Sequence, residues 1–149
     1  MNETQRAFIQ AILADHQYMT LATVRPDGWP QATTVAFASE GLELYFACDP
    51  GGQKVANIGR CDKVSATIDR EQADWNRIRG LSLGGTARVL VEPAERAHAQ
   101  TLLRGKFPQW AETPSPEEPS LIAFVRVTPK VFSLLDYTKG FGHTELVEV

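Results

Sequence analysis

The sequence predicts a mainly β protein with added helices, a closed antiparallel barrel rather than an alternating βα sheet. Two observations carry this. From Tyr18 onward most segments alternate with a period near two and are separated by short turns, and no helix-length segment sits regularly between strands. With 149 residues, 43% of them hydrophobic, the chain has material for one core, so a single domain over residues 1–149 is expected.

The first element is the exception to the strand rhythm. Asn2 followed by Gln5 reads as a capping box, and Phe8, Ile9, Ile12 and Leu13 recur at helical spacing up to Ala14. Tyr18 to Val24 then carries the alternating and β-branched residues of a strand. Arg25-Pro26-Asp27-Gly28 turns it, Gln31 to Phe37 forms a second strand, Ser39-Glu40-Gly41 turns again, and Leu42 to Ala47 returns. Connections this short predict an antiparallel meander.

Asp49-Pro50-Gly51-Gly52 ends the meander, and Gln53 to Ile58 supplies about two helical turns before Gly59. Lys63 to Asp69 and Leu81 to Val91 read as further strands, the second with a bulge or close backbone approach at Gly84-Gly85. Trp75 and Ile78 lie in the connection between them, placed to cover an open barrel end. Pro93 opens a helix whose body is Ala94 to Leu103, with Gly105 as its stop. Ala111 to Pro119, with three prolines, reads as a surface loop, and Leu121 to Val127 and Val131 to Leu135 as two last strands divided by Thr128-Pro129-Lys130. About seven strands and two or three helices result.

Composition narrows the function classes. Fifteen Lys and Arg against eighteen Asp and Glu give a net charge of −3 with the signs interspersed, which carries neither a nucleic-acid footprint nor a membrane-surface patch. No apolar run reaches the roughly 20 residues of a membrane span, and the first residues lack the pattern of a signal peptide, so a cytoplasmic location is expected. Cys48 and Cys61 show no metal-ligand rhythm and read as reduced, largely buried thiols. His16, His98 and His143 fall at a helix end, inside a helix and in a glycine-rich tail, which makes a shared metal site an unattractive reading and each an exposed or singly hydrogen-bonded residue.

No nucleophile elbow, HExxH, dinucleotide fingerprint or paired carboxylate motif is present, so no residue is assigned a catalytic role. Lys54 stands out instead. At the start of a short helix an ammonium group and free backbone N–H groups can meet a phosphate together, although a solvated lysine is the plainer reading.

The run Met19 to Val24 followed by Asp27-Gly28-Trp29-Pro30, the aromatic strand Leu44-Tyr45-Phe46, Lys54 to Ile58, Asp62 to Ile68, and Gly85-Thr86-Ala87 resemble, in order and spacing, the pyridoxamine-phosphate-oxidase-like family of FMN-binding split barrels. The resemblance covers Met19 to Val91 and again Leu121 to the C-terminus. It implies an antiparallel split β-barrel, a homodimer with FMN at its interface, and flavin-dependent oxidoreductase chemistry on a small organic substrate or reduced nicotinamide. By the same resemblance Thr33, Thr34 and Lys54 face the phosphate and ribityl chain, with Val35 along the flavin ring. The second subunit adds Arg79, Gly80, Leu81, Ser82 and Leu83, and the segment from Asp136 through Tyr137 to Lys139.

The chain also departs from the family pattern. Thr33, Ala38 and Gln53 stand where family members carry cations, Gly80 stands for an interfacial glutamine, and Gly140 to Leu146 contains no arginine to read a substrate phosphate. Vitamin B6 oxidation is therefore an unattractive assignment. A non-catalytic flavin carrier or stress-related sensor, with the substrate face closed by Trp75, Trp110 or Phe141, and a reductase using the deazaflavin F420 are the alternatives.

Overall fold

A computed structural model describes residues 1–112 and 121–149. Most of the segment expected as a proline-rich loop, 111–119, lies outside the described residues.

Helix α1 (Glu3–Asp15) starts where the capping box places it. Asn2 Oδ1 accepts from the Gln5 amide at 2.9 Å, and Gln5 Oε1 accepts from the Asn2 amide at 2.8 Å. Its apolar face buries Ile9, Ile12 and Leu13 among the side chains inside the barrel.

The strands are β1 (Tyr18–Val24), β2 (Pro30–Ala36), β3 (Ala38–Glu40), β4 (Glu43–Cys48), β5 (Lys63–Ile68), β6 (Arg79–Val89), β7 (Ala123–Asp136) and β8 (Thr144–Glu148). They form one sheet in the order β2-β1-β5-β6-β7-β4-β3, with β8 added on β7 and every pairing antiparallel. The two ends of that path, β2 and β3, are consecutive in the chain and divided by Phe37 alone. Phe37 is fully buried and its amide donates to Gln17 O at 3.1 Å. The sheet therefore has to curl until its edges approach one another, which makes it a split barrel. The expected three-strand meander is accordingly two separate hairpins, because β4 pairs with β7 and not with β2.

Three further expectations change. The two last strands are one, β7, whose middle is the segment expected to divide them. Gly84 pairs with Val131 and Gly85 with Pro129, leaving Lys130 as the extra residue of a bulge, and there β7 changes its second neighbour from β4 to β8. Proline is tolerated because the bulge needs no ladder donor from it. A Cβ on Gly85 would lie 2.4 Å from Thr128 O, so the glycine pair marks both a bulge and a close approach. The tail read as glycine-rich contains β8, whose alternation over five residues is too short to stand out.

Helices α2 (Gln53–Arg60) and α3 (Pro93–Lys106) both run through the glycines expected to stop them, Gly59 and Gly105. Neither glycine takes a positive φ; the helices end one or two residues later with Cys61 and Phe107 still bonded back to Asn57 O and Leu103 O.

The sheet buries its inner face on α1 and on itself, with Leu21, Phe46, Val125 and Phe132 fully enclosed. A second apolar layer lies outside, where Ala99 and Leu103 of α3, with Phe107 just after it, cover Ala38, Tyr45 and Phe124 of β3, β4 and β7. At the end of α3, Lys106 Nζ donates to Leu13 O at 3.0 Å and stands 4.0 Å from the Phe37 ring centroid, and burial lowers its pKa to about 8. None of the described helices is long and apolar enough to cross a membrane.

Candidate functional site

Helix α3 covers only part of the barrel's outer face. Along the middle of β2, β1, β5 and β6 the outward residues are small, and the strand register lines them up. Thr34 pairs with Thr20, Thr20 with Thr67, Thr67 with Ser82 and Ser82 with Ser133. Two residues along each strand, Ala32 pairs with Ala22, Ala22 with Ser65 and Ser65 with Gly84. The result is a shelf about 20 Å wide, at the ~4.8 Å spacing of neighbouring strands. The hydroxyls of Thr20, Thr34, Thr67, Ser82 and Ser133 make no side-chain hydrogen bond to the described residues, and Thr20, Thr34 and Thr67 are exposed. Small side chains permit close approach, and the hydroxyls retain donors and acceptors for whatever approaches.

Of the residues expected at the cofactor, Thr34 and Ser82 lie on this shelf. Their neighbours point the other way, since successive strand residues alternate faces. Val35, Leu81 and Leu83 are 8%, 2% and 3% exposed within the inner core, so any contact they make with an outside ligand runs through backbone. Thr33 shares their side but is half-buried. Gly80 is buried against the end of β5, where a Cβ would meet Ile68 O at 2.8 Å and Asp69 Cβ at 3.2 Å. This is a local reason for glycine where the family pattern has a glutamine.

Helix α2 docks at the Thr23 end of β1, one residue beyond the Ala22 row. Lys54 is half-buried at the second position of that helix, whose cap residue Gly52 offers no side chain. The preceding loop is held by Asp49, which accepts from the Gly51 amide at 2.9 Å through Oδ1 and from the Gly52 amide at 3.1 Å through its carbonyl. Asn57 anchors the helix to the barrel. Fully buried, it donates through Nδ2 to Thr23 Oγ1 at 2.9 Å and Gln31 Oε1 at 3.2 Å, and accepts from Gln53 Nε2 at 2.8 Å. A buried amide without partners would be costly, so this network sets the position of α2 and of Lys54 upon it. Sequence reasoning assigned Asn57 no such role; its place three residues after Lys54, one helical turn on, was the available signal.

The other expected residues gather at the opposite end of β6. Arg79 and Lys139 border a cleft of about 630 Å³ with Phe8 of α1, Asp136, His143 and Glu145. Arg79 stands 3.7 Å from Asp136 Oδ1 and its guanidinium lies 4.7 Å from the Phe8 ring centroid. Tyr137 opens the 3-10 turn Tyr137–Lys139 and meets Phe141 edge-on at 5.3 Å, while Phe141 stacks on Trp75 at 6.3 Å. Asn57 holds the level of Thr23, one residue beyond the row that ends at Gly84, and Arg79 lies five residues before Gly84. The two groups are thus on the order of 15–20 Å apart at about 3.3 Å per strand residue. A single chain does not bring Lys54 and Arg79 around one small ligand.

Titratable groups do not form an acid–base engine on the shelf. Burial raises the Cys48 thiol pKa, with the nearby Lys54 ammonium opposing it. Both thiols are free and half-buried, less enclosed than expected. His98 has the single partner expected, Glu40 at 2.9 Å, whereas His16 is buried with two: Nδ1 faces Ile12 O at 2.9 Å and Nε2 accepts from Arg70 at 3.2 Å. Among the described residues no three His, Cys, Asp or Glu side chains are grouped to hold a metal ion. Reactivity at the shelf would have to be brought by a bound group.

Solved structures share the architecture. The chain aligns with a haem-binding protein of Mycobacterium smegmatis at 17% identity, over 95% of this chain and 57% of that one, with a TM-score of 0.76. It aligns with General Stress Protein 26 of Bacillus anthracis at 19% identity, over 97% and 98%, with a TM-score of 0.74. An F420 reductase matches at 25% identity, over 83% and 94%, with a TM-score of 0.63. No relative of matching sequence is found among curated proteins. The profile of the pyridoxamine 5'-phosphate oxidase family matches residues 5–136, from the first turn of α1 to the last residue of β7. With that match spanning the curled sheet and both ends of its bare shelf, the chain belongs to the pyridoxamine 5'-phosphate oxidase family of split barrels.

Proposed function

We propose that the chain binds FMN and serves as a flavin-dependent oxidoreductase for a small organic substrate or a reduced nicotinamide. The observation that carries this reading is the shelf of unpartnered hydroxyls, with Lys54 on the helix that docks beyond its Ala22 row. A planar ring can lie against Ala22, Ala32 and Gly84 without steric conflict, the ribityl hydroxyls find Thr20, Thr34 and Thr67, and the phosphate meets the Lys54 ammonium and the first turn of α2. Bound flavin supplies hydride and electron transfer; the chain supplies orientation and a surface that excludes water.

The same reading calls for a homodimer. The shelf continues onto Leu146 of β8, paired with Ser133 and 74% exposed, and Tyr18, Trp75 and Phe141 are also largely exposed. A second copy laid on this face would cover them and bring its own Arg79, Ser82 and Lys139 to the Lys54 end of the first. Gly80 and the arginine-free stretch 140–149 argue against pyridoxamine phosphate as the substrate.

Similarity to an F420 reductase supports a second reading, a deazaflavin in the same place. The Trp75–Phe141 stack supports a third, a non-catalytic flavin carrier with that flank closed. One experiment separates them: the visible spectrum of freshly purified protein, mass analysis of the compound released on denaturation, and anaerobic reduction. Released FMN that reduces with dithionite and reoxidises with a small acceptor is the expected result. Released F420, haem or nothing contradicts the FMN reading, and FMN that stays oxidised contradicts the oxidoreductase role.

A further inference from the structure

The part of the sheet that α3 covers carries a charged cavity of its own. Beside the first turns of that helix, a space of about 240 Å³ is lined by Tyr45 of β4, Arg126 of β7, Leu90, and Ala94, Glu95 and His98 of α3. Register sets Arg126 directly between Tyr45 on one neighbouring strand and Arg88 on the other. Like charges facing across a ladder cost stability, so two opposed arginines call for compensating partners. Arg88 has one, since it pairs with the Glu95 carboxylate. Arg126 has none at hydrogen-bond distance among the described residues. Glu43 stands 3.8 Å from its Nε and Glu95 3.8 Å from its Nη1, and Nε is sealed without an acceptor. Packing therefore holds the side chain, and its terminal nitrogens keep their donors free at the cavity.

The acceptors around it are only part-used. Glu43 takes one hydrogen bond on each oxygen, from the Tyr45 and Thr128 hydroxyls at 3.1 Å, and a carboxylate oxygen has a second lone pair. The hydrogen bond from Arg88 lowers the Glu95 pKa, so that carboxyl is ionised at neutral pH. With Glu40, which pairs with His98 at 2.9 Å, three carboxylates meet two guanidinium groups around one small space. A plain carboxylate ligand would gain Arg126 but lie against Glu43 and Glu95. A plain ammonium would gain the glutamates but lie against Arg126 and Arg88. A molecule that carries both signs on neighbouring atoms avoids either penalty. We infer that this cavity binds a zwitterionic α-amino acid with an aliphatic side chain. Its carboxylate meets the terminal nitrogens of Arg126, its ammonium meets Glu95, and its side chain lies over Leu90 and Ala94 against the Tyr45 ring. The volume is below the roughly 300–1,000 Å³ of pockets for drug-sized ligands, which suits a molecule this small. The site is separate from the proposed flavin site, because α3 lies over β3, β4 and β7 and not over the shelf.

Calorimetric titration of the protein as purified with L-leucine tests it, against two analogues that each keep one charge, 4-methylpentanoate and 3-methylbutylamine. Saturable leucine binding about tenfold tighter than that of either analogue is expected. Arg126→Gln should weaken leucine about tenfold, since the charge-assisted carboxylate contact is lost. Its melting temperature should not fall, because no internal hydrogen bond goes and the opposition to Arg88 is relieved. Glu95→Gln keeps an acceptor for Arg88 and removes the charge that faces the ammonium. It should weaken leucine about tenfold while strengthening 4-methylpentanoate, a change of preference that misfolding does not produce. Ala94→Trp, on the exposed surface of α3, should fill the cavity and abolish binding with an unchanged melting temperature. Absence of saturable leucine binding, equal affinity for either analogue, indifference to Arg126→Gln or Ala94→Trp, or an unchanged preference in Glu95→Gln would each overturn the proposal.

Discussion

The two halves of the barrel's outer face come from the same sheet and meet opposite fates. Over β3, β4 and the first part of β7 the outward side chains are Ala38, Tyr45 and Phe124, and α3 seals them beneath Ala99, Leu103 and Phe107. Along the middle of β2, β1, β5 and β6 they are threonine, serine, alanine and glycine, and none of the described helices covers them. Large apolar residues leave water only if an element is supplied to bury them. Small hydroxylated ones neither demand a cover nor resist a guest. The first half is built for stability and the second for occupancy, so substitutions should separate stability from binding along the same line.

The largest stability loss is expected in the covered half. Phe124→Ala removes a ring that packs on Trp110 and on the guanidinium of Arg96, and should cost about 3–4 kcal/mol in a denaturant melt. At the edge of the bare half, Asn57→Ala strips partners from Thr23, Gln31 and Gln53 and should cost about 2 kcal/mol. If it costs nothing, the amide network does not position α2.

Lys54→Ala should leave the melt unchanged and weaken FMN about 10- to 100-fold, while riboflavin, which lacks the phosphate, is hardly affected. Equal losses for both flavins would remove Lys54 from the phosphate site. A pH dependence is expected at Lys106, the ammonium beneath the covering helix. Its pKa is pushed from 10.5 down to about 8, so between those values the unfolded chain binds the proton more than the folded one. Stability should rise with pH across that window and fall as pH drops through 8, and Lys106→Met should flatten the slope. On the shelf, Thr67→Leu should shift stability by less than about 0.5 kcal/mol, yet abolish binding of a flat ligand by raising its floor. A large stability change there would end the distinction between the halves.

Much of this was legible in the chain. The capping box at Asn2 and Gln5 located α1, period-two segments located most strands, and the Gly84-Gly85 pair announced the bulge. Stop signals were less dependable. Gly59 and Gly105 lie inside helices because i to i−4 bonding continued past them, and a glycine ends a helix only when its backbone turns left-handed. Thr128-Pro129-Lys130 was read as a break between strands, and is instead the point where one strand exchanges neighbours.

Local pattern, then, determined which segments are strands and which residue of each faces outward, since alternation is a property of a single strand. It could not determine which threonine stands beside which. That depends on register between strands far apart in sequence, and only the folded sheet sets Thr34, Thr20, Thr67, Ser82 and Ser133 in one row. The same holds for the cavity beside α3. Tyr45, Glu95 and Arg126 are far apart in sequence, and their meeting requires β4 and β7 to pair beneath the first turns of that helix. Long-range pairing brings these groups together because burying the barrel's inner face fixes every register at once, and a one-residue slip would turn the core outward.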